Sequence, residues 1–261
     1  MKRRDLLVAS CAAPLGALTT SAQGKDVPAP GTKEYLELRL YTFASIEKRD
    51  AYVTFLKDTA VPALNRIGID RVGVWKMQKE SDPSLYVLLP NKSIASFATA
   101  RRRLLADKAY VAGATKAIYG APKKDPVYKR IESSLMISFD AVPRVEVPTK
   151  AATRIAQLRI YESHTEERGQ RKIHMFNEGG ETALFRKKGM DPVFFGETLV
   201  GTKVPNLTYM LCFENDEARQ AAWKAFVSSP EWKKLSRNPF YKDTVSGITN
   251  LFLLPTAASQ I

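Results

Sequence analysis

The sequence predicts an α+β fold in which one strand–helix–strand–strand–helix–strand unit occurs twice in tandem. Three observations predict it. Residues 34–43, EYLELRLYTF, alternate two chemistries: Leu36, Leu38 and Leu40 fall on one side of an extended chain, and Tyr35, Glu37, Arg39 and Tyr41 on the other. The stretch returns in reduced form as RIAQLRIY at 154–161, where Ala156, Leu158 and Ile160 repeat the small or apolar face and Gln157, Arg159 and Tyr161 the polar one, 120 residues on. After each copy the same order of helical and extended patterns can be traced.

Residues 1–22 stand apart from the fold. Lys2, Arg3 and Arg4 precede an uncharged run over 6–18, which Thr20-Ser21-Ala22 ends with small residues, the pattern of a signal peptide. Thirteen residues are too few to cross a bilayer core of ~30 Å as a helix, so no integral membrane span is expected. Arg3-Arg4 followed by Asp5, Leu6 and Leu7 is similar to the twin-arginine export signal, with Lys2 where that pattern has Ser or Thr; general secretory export is the alternative. Val8-Ala9-Ser10-Cys11 also resembles a lipoprotein box, behind an apolar run short for that purpose. The expected location is therefore periplasmic or secreted, with lipid anchoring at Cys11 as the alternative. Residues 23–32, QGKDVPAPGT, read as a linker.

The first unit is expected over 33–140. After its opening strand, residues 47–66 carry Tyr52, Phe55, Leu56, Thr59, Ala63 and Leu64 at helical spacing, a helix expected to pack on the leucine face and to bend at Pro62 before Gly68 stops it. Residues 69–77 alternate, with Val72 and Val74 opposite Arg71, Gly73 and Trp75, and 85–89 form the second arm of a hairpin. Residues 93–117 read as helix in one or two pieces, with Ile94, Phe97, Ala98, Arg101 and Leu105 on one stripe, and a strand over 133–139 closes the unit. Residues 141–153, containing Pro143 and Pro148, form a connector. The second unit, 154–256, repeats the order with strands at 154–161, 192–200, 207–213 and 248–254 and helices at 166–188 and 216–227; Gly189 answers to Gly68 as helix stop.

This order is that of the ferredoxin-like fold, a four-stranded antiparallel sheet with helices on one face. Two such sheets can stack their bare faces and close a pseudo-dimeric α/β barrel. The polar faces are then expected to point inward, with Arg39, Tyr41, Arg71 and Trp75 from one half and Gln157, Arg159 and Tyr161 from the other. An interior arginine costs several kcal/mol unless paired, and Glu37 and Glu197 are the candidate partners.

Composition narrows the classes. Once residues 1–22 are removed Cys212 is the remaining cysteine, so no intrachain disulfide forms, and its place in the apolar run 209–213 predicts a buried thiol. The net charge of +13 permits attraction to anionic lipid, nucleic acid or acidic ligands. The charges are spread along the chain and no nucleic-acid-binding motif appears, so solvated basic surface is expected and nucleic acid is not. The densest cluster, Arg101-Arg102-Arg103, splays around a helix and cannot form one flat patch.

YLELRLYTF followed by a helix and GIDRVGVW, with the weaker copy QLRIYES and GMDPVFFGE, resembles the NIPSNAP family over residues 33–255. The resemblance implies kinship with the dimeric α/β barrel proteins, a group that includes cofactorless monooxygenases, isomerases and haem-binding enzymes. It supports the architecture and transfers no reaction. The second copy departs from the first in having Gln157 where the first has Glu37.

His164 and His174, ten residues apart, do not make a metal pair, and no metal site is expected. Nucleophile, phosphate-loop and dinucleotide motifs are missing. What remains is a ligand-binding set of Arg39, Tyr41, Trp75, Arg159, Tyr161 and Glu197, suited to an aromatic or carboxylate-bearing small molecule. Tyr41, Tyr161 or His164 are the candidates to move a proton, and an axial haem ligand is the other role open to His164, no cofactor being otherwise expected. The competing account is that Arg39 and Glu37 satisfy each other. Two functions follow: an exported protein that binds or transforms a small molecule, or a non-catalytic ligand-binding or interaction domain. A homo-oligomer is compatible with either.

Overall fold

The computed structural model describes residues 33–261; the expected export signal, Cys11 and the linker lie outside the described residues. Eight antiparallel strands close a barrel. They are β1 (Tyr35–Thr42), β2 (Gly73–Met77), β3 (Leu85–Asn91), β4 (Arg130–Ser138), β5 (Ile155–Glu162), β6 (Asp191–Val200), β7 (Asn206–Phe213) and β8 (Gly247–Pro255). Their order around the barrel is β1-β3-β2-β8-β5-β7-β6-β4, so each half keeps the ferredoxin-like arrangement with its first strand central. The halves meet at two seams. Trp75, Lys76 and Met77 of β2 pair with Pro255, Leu254 and Leu253 of β8, and β4 meets β6 from Leu135 opposite Val200 to Ser138 opposite Gly196, through one bulge.

Helices cover the outside. The first half carries α1 (Ile46–Phe55), a wide π-type stretch (Leu56–Ala60), α2 (Val61–Arg66), α3 (Ile94–Ala106) and α4 (Lys108–Ala117); the second carries α5 (Glu166–Asn177), α6 (Glu181–Lys187), α7 (Asp216–Ser228) and α8 (Pro230–Ser236). The helix that follows each half's first and third strand starts on a side-chain cap: Ser45, Ser93, Thr165 and Asn215 each accept a hydrogen bond from the backbone N–H three residues on. Pro62 does not end its helix. The missing N–H is accommodated by the wide turn before it, where the Val61 N–H reaches back to Leu56 O. Gly68 and Gly189 stop their helices at φ of 79° and 73°, a conformation that favours glycine. The single helix expected over 166–188 is split, because Gly180 adopts φ 87° and Gly179 packs so close to Met175 O and the Tyr241 hydroxyl that a Cβ would lie 2.7 Å from each. The helix α8 was not expected from the sequence.

On β1 and β5 the two faces are the other way round from the sequence expectation, whereas on β2 Trp75 points into the barrel and Val72 and Val74 meet the helices, as expected. Leu36, Leu38, Leu88, Met136, Ala156, Leu158, Phe194, Met210, Cys212 and Leu253 form one buried cluster inside the barrel. Tyr41 packs instead with Tyr52, Phe55 and Leu56 beneath the first half's helices, and Tyr161 with Phe176, Phe185 and Phe226 beneath the second's. The leucine face is therefore the barrel lining, and Arg39, Tyr41, Gln157, Arg159 and Tyr161 lie under the helices. Arg71 lines neither face. At φ 55°, just before β2, it donates to Val145 O at 2.7 Å and pairs with the buried Glu34 carboxylate, which also accepts from Val145 N at 2.8 Å. This clamp straps the connector across one end of the barrel, with Val145 in the interior cluster.

Cys212 is a free, buried thiol. Burial pushes it up to about 11, with Arg154 pulling weakly the other way, which leaves about one part in a thousand as thiolate at pH 8. Alkylation of native protein by iodoacetamide at that pH is expected to be negligible over a time that completes it in denaturant; equal rates in mass spectrometry would contradict the buried placement.

Candidate functional site

The outer faces of the two sheets present the same residues in two different electrostatic states. In the first half Arg39 is held by its neighbour two residues back on β1: Nε donates to Glu37 Oε1 at 2.6 Å and Nη2 to Oε2 at 2.9 Å. Ser133 Oγ donates to the same carboxylate at 2.8 Å, and Arg39 Nη1 lies 3.4 Å from the Tyr41 hydroxyl. Burial works against the Arg39 charge, but Tyr41 and the two-pronged Glu37 outweigh it, and its proton affinity is raised. Around this pair Tyr41, Tyr52 and Tyr128 pack ring against ring at 5.0–5.9 Å, and burial raises the Tyr52 phenol well above its ordinary value. The first-half arginine is thus fully paired.

In the second half the partner is gone. Gln157 replaces Glu37, and its carboxamide is engaged elsewhere, accepting from Trp223 Nε1 at 2.6 Å and donating to Asn250 Oδ1 at 2.7 Å. Arg159 forms no salt bridge among the described residues, and its buried Nε has no hydrogen-bond partner. The half-buried guanidinium lies between two rings, 4.8 Å from that of Trp223 on α7 and 5.2 Å from that of Tyr161. Such contacts stabilise a cation by about 0.5–2 kcal/mol each but neutralise no charge.

Beside Arg159 stand two phenols in contact. Tyr209 donates to the Tyr161 hydroxyl at 2.9 Å. Burial raises both. Arg159 and the hydrogen bond from Tyr209 pull Tyr161 back down, whereas the Tyr161 oxygen pushes Tyr209 further up. Tyr161 is therefore the phenol that loses its proton first. Above it sits a buried ion pair, Lys172 of α5 with Glu181 of α6 at 2.8 Å, the ammonium also 5.6 Å from the Tyr161 ring centroid and 4.9 Å from that of Phe176.

The remaining candidates are scattered. Trp75 alone of the ligand-binding set points into the barrel, where it is 2% exposed among apolar side chains. Glu197 lies on the outer face of β6 and accepts from Gln170 of α5 at 2.5 Å. It borders a surface groove of about 600 Å³, together with Lys33, Asp140, Arg171, His174 and Phe240. His164 is exposed at the end of β5, and His174 is bonded through Nδ1 to the Tyr241 hydroxyl at 2.9 Å. Lys172, Glu181, Tyr209 and Trp223 were not singled out as site residues. Lys172 could have been found: it precedes Phe176 by four positions on α5 and so shares the helix face that Met175 and Phe176 direct at the sheet.

Comparison with known proteins agrees with this architecture. Residues 156–260 match the NIPSNAP family. No curated protein is significantly similar in sequence. Among solved structures, a candidate monooxygenase of Fusobacterium nucleatum superposes with a TM-score of 0.59 at 9% identity over 85% of this chain and 92% of that one. A candidate monooxygenase of Lactobacillus acidophilus gives 0.58 at 11% identity over 85% and 94%. A NIPSNAP-like domain protein of Burkholderia xenovorans is 20% identical over 40% of this chain and 87% of its own, with a TM-score of 0.37. The second half of the chain thus matches the NIPSNAP family, and the whole chain shares its fold with the first two of these structures.

Proposed function

We propose that the second half binds a small aromatic molecule bearing a carboxylate at Arg159, on the helix-covered face of its sheet and not inside the barrel. The observation that carries this is the contrast between the two halves: the same arginine is doubly paired by Glu37 in one and unpaired in the other. A ligand carboxylate at the half-exposed guanidinium would supply what Glu37 supplies to Arg39. The flanking rings of Trp223 and Tyr161 suit a flat ligand. We assign the proton exchange with it to Tyr161, the phenol beside Arg159, so turnover, where it occurs, would depend on that group. In the first half the pairing of Arg39 favours a structural role. On its N-terminal sequence we further propose that the protein acts after export.

Native mass spectrometry of protein purified from its own source tests the reading, with titration of benzoate-type acids as the defined probe. Arg159→Ala is expected to lose the adduct and to weaken acid binding about a hundredfold, the loss typical of one partner of a charge-assisted pair. Gln157→Glu, which copies the first half, is expected to satisfy Arg159 internally and weaken binding more than about tenfold while raising the melting temperature. Unchanged affinity in both variants would overturn the proposal. Tyr161→Phe separates binding from turnover, since it should leave the adduct in place.

A further inference from the structure

Of the stripe that periodicity picks out on α3, Ile94, Ala98, Arg101 and Leu105 face water and Phe97 is half-buried. Ile94 is 44% and Leu105 50% exposed, Ala98, Arg101 and Arg102 are exposed with them, and Ala100 is the one buried residue of the helix. At 100° per residue these five outward positions span about 100° of arc. Arg103 alone of the arginine triplet turns back, donating to Ile67 O at 2.6 Å and to Ser96. Residues 92–124, which span α3 and α4, hold eight Lys and Arg against one acid, Asp107, a net +7 of the chain's +13. That acid is ionised, held down to about 2 by Arg66 and the capped N–H of Tyr110, and its charge is paired with Arg66, which lies outside this segment. The region 120 residues on, 212–244, holds six basic residues against five acids. The charge therefore belongs to one half's helices, and exposed apolar side chains, including Tyr119 at 43%, are interleaved with it.

We infer that the outer face of α3 and α4 docks on an anionic phospholipid surface. A second copy of the chain would bring like charge against like. A nucleic acid offers phosphates but nothing for Ile94 and Leu105 to enter, whereas a bilayer interface takes cations at its headgroups and apolar side chains just beneath. No described helix is long and apolar enough to cross the membrane, so contact is peripheral.

Co-sedimentation of the whole protein with mixed phosphatidylglycerol–phosphatidylcholine vesicles tests this, with pure phosphatidylcholine as the blank. Binding to the mixed vesicles alone, weakened by salt, is the expected result. R101E/R102E is expected to reduce partitioning about thirtyfold or more, R101K/R102K to preserve it, and Leu105→Glu to lose it with both arginines intact. All these residues are exposed, and melting curves check that each variant is folded. Wild-type protein that stays in solution with the mixed vesicles overturns the inference. So does Leu105→Glu binding as wild type, or duplex DNA displacing the protein from the vesicles at equal phosphate concentration.

Discussion

Replacing Lys172 by Ala is expected to destabilise the protein by about 3–5 kcal/mol, because it leaves Glu181 charged and unpaired in the interior. The two side chains are 6% and 2% exposed, and among the described residues Lys172 Nζ is the hydrogen-bond partner of the Glu181 carboxylate. For a domain of this size the change corresponds to a fall of about 6–20 °C in Tm. The double substitution Lys172→Met/Glu181→Leu should recover most of it, since exchanging both charges for apolar side chains of similar volume is often neutral. Thermal melts of the single and double variants read the coupling directly. A single variant melting within a degree or two of wild type would show that the pair is not buried as described. Because the Lys172 ammonium also covers the Tyr161 ring, the single variant should loosen the Arg159 site as well, linking stability to ligand affinity.

Trp75→Ala is expected to cost about 3–5 kcal/mol, the range for removing a large aromatic from a close-packed core. The indole is the largest fully buried side chain of the barrel lining and lies flat over Gly73, where a Cβ would fall 1.9 Å from its Cη2. Gly73→Ala should therefore destabilise by about 1–3 kcal/mol through overpacking. In the Trp75→Ala background it should cost nothing, because the added methyl enters the space the indole leaves. Additive costs in a double-mutant cycle would rule out the stacking of Trp75 on Gly73.

Much of this was legible in the sequence, and what was not has a common physical cause. The alternation in EYLELRLYTF identified a strand with two distinct faces, and its return at 154–161 identified the repeat. Alternation cannot say which face meets helices when both are buried. Along the middle of its wall the barrel interior is closed to water, and the face of Leu36, Leu38 and Leu158 occupies it. The layer between sheet and helices opens at its margins, so Arg39, with a third of its side chain exposed, sits there. The substitution of Gln157 for Glu37 was visible in the sequence, but its consequence required knowing that the carboxamide turns to Trp223 and Asn250. The break at Gly179-Gly180 was masked by strong helix formers on both sides. The stripe on α3 was read by periodicity alone, and periodicity does not distinguish a face for the core from a face for a partner.

The two seams, β2 with β8 and β4 with β6, are short beside the pairings that the first strand of each half makes with its neighbours, and they join parts of a single polypeptide. Tethering makes their association intramolecular, so a few paired residues at each junction suffice where separate chains would need an interface able to hold at cellular dilution. It also lifts a constraint. In a barrel assembled from two identical chains, every substitution appears twice, and a change that frees one arginine frees both. Within one chain, position 37 and position 157 mutate separately. One arginine can stay locked as part of the scaffold while its twin is released, and the fold need survive the loss of only one of the two pairs.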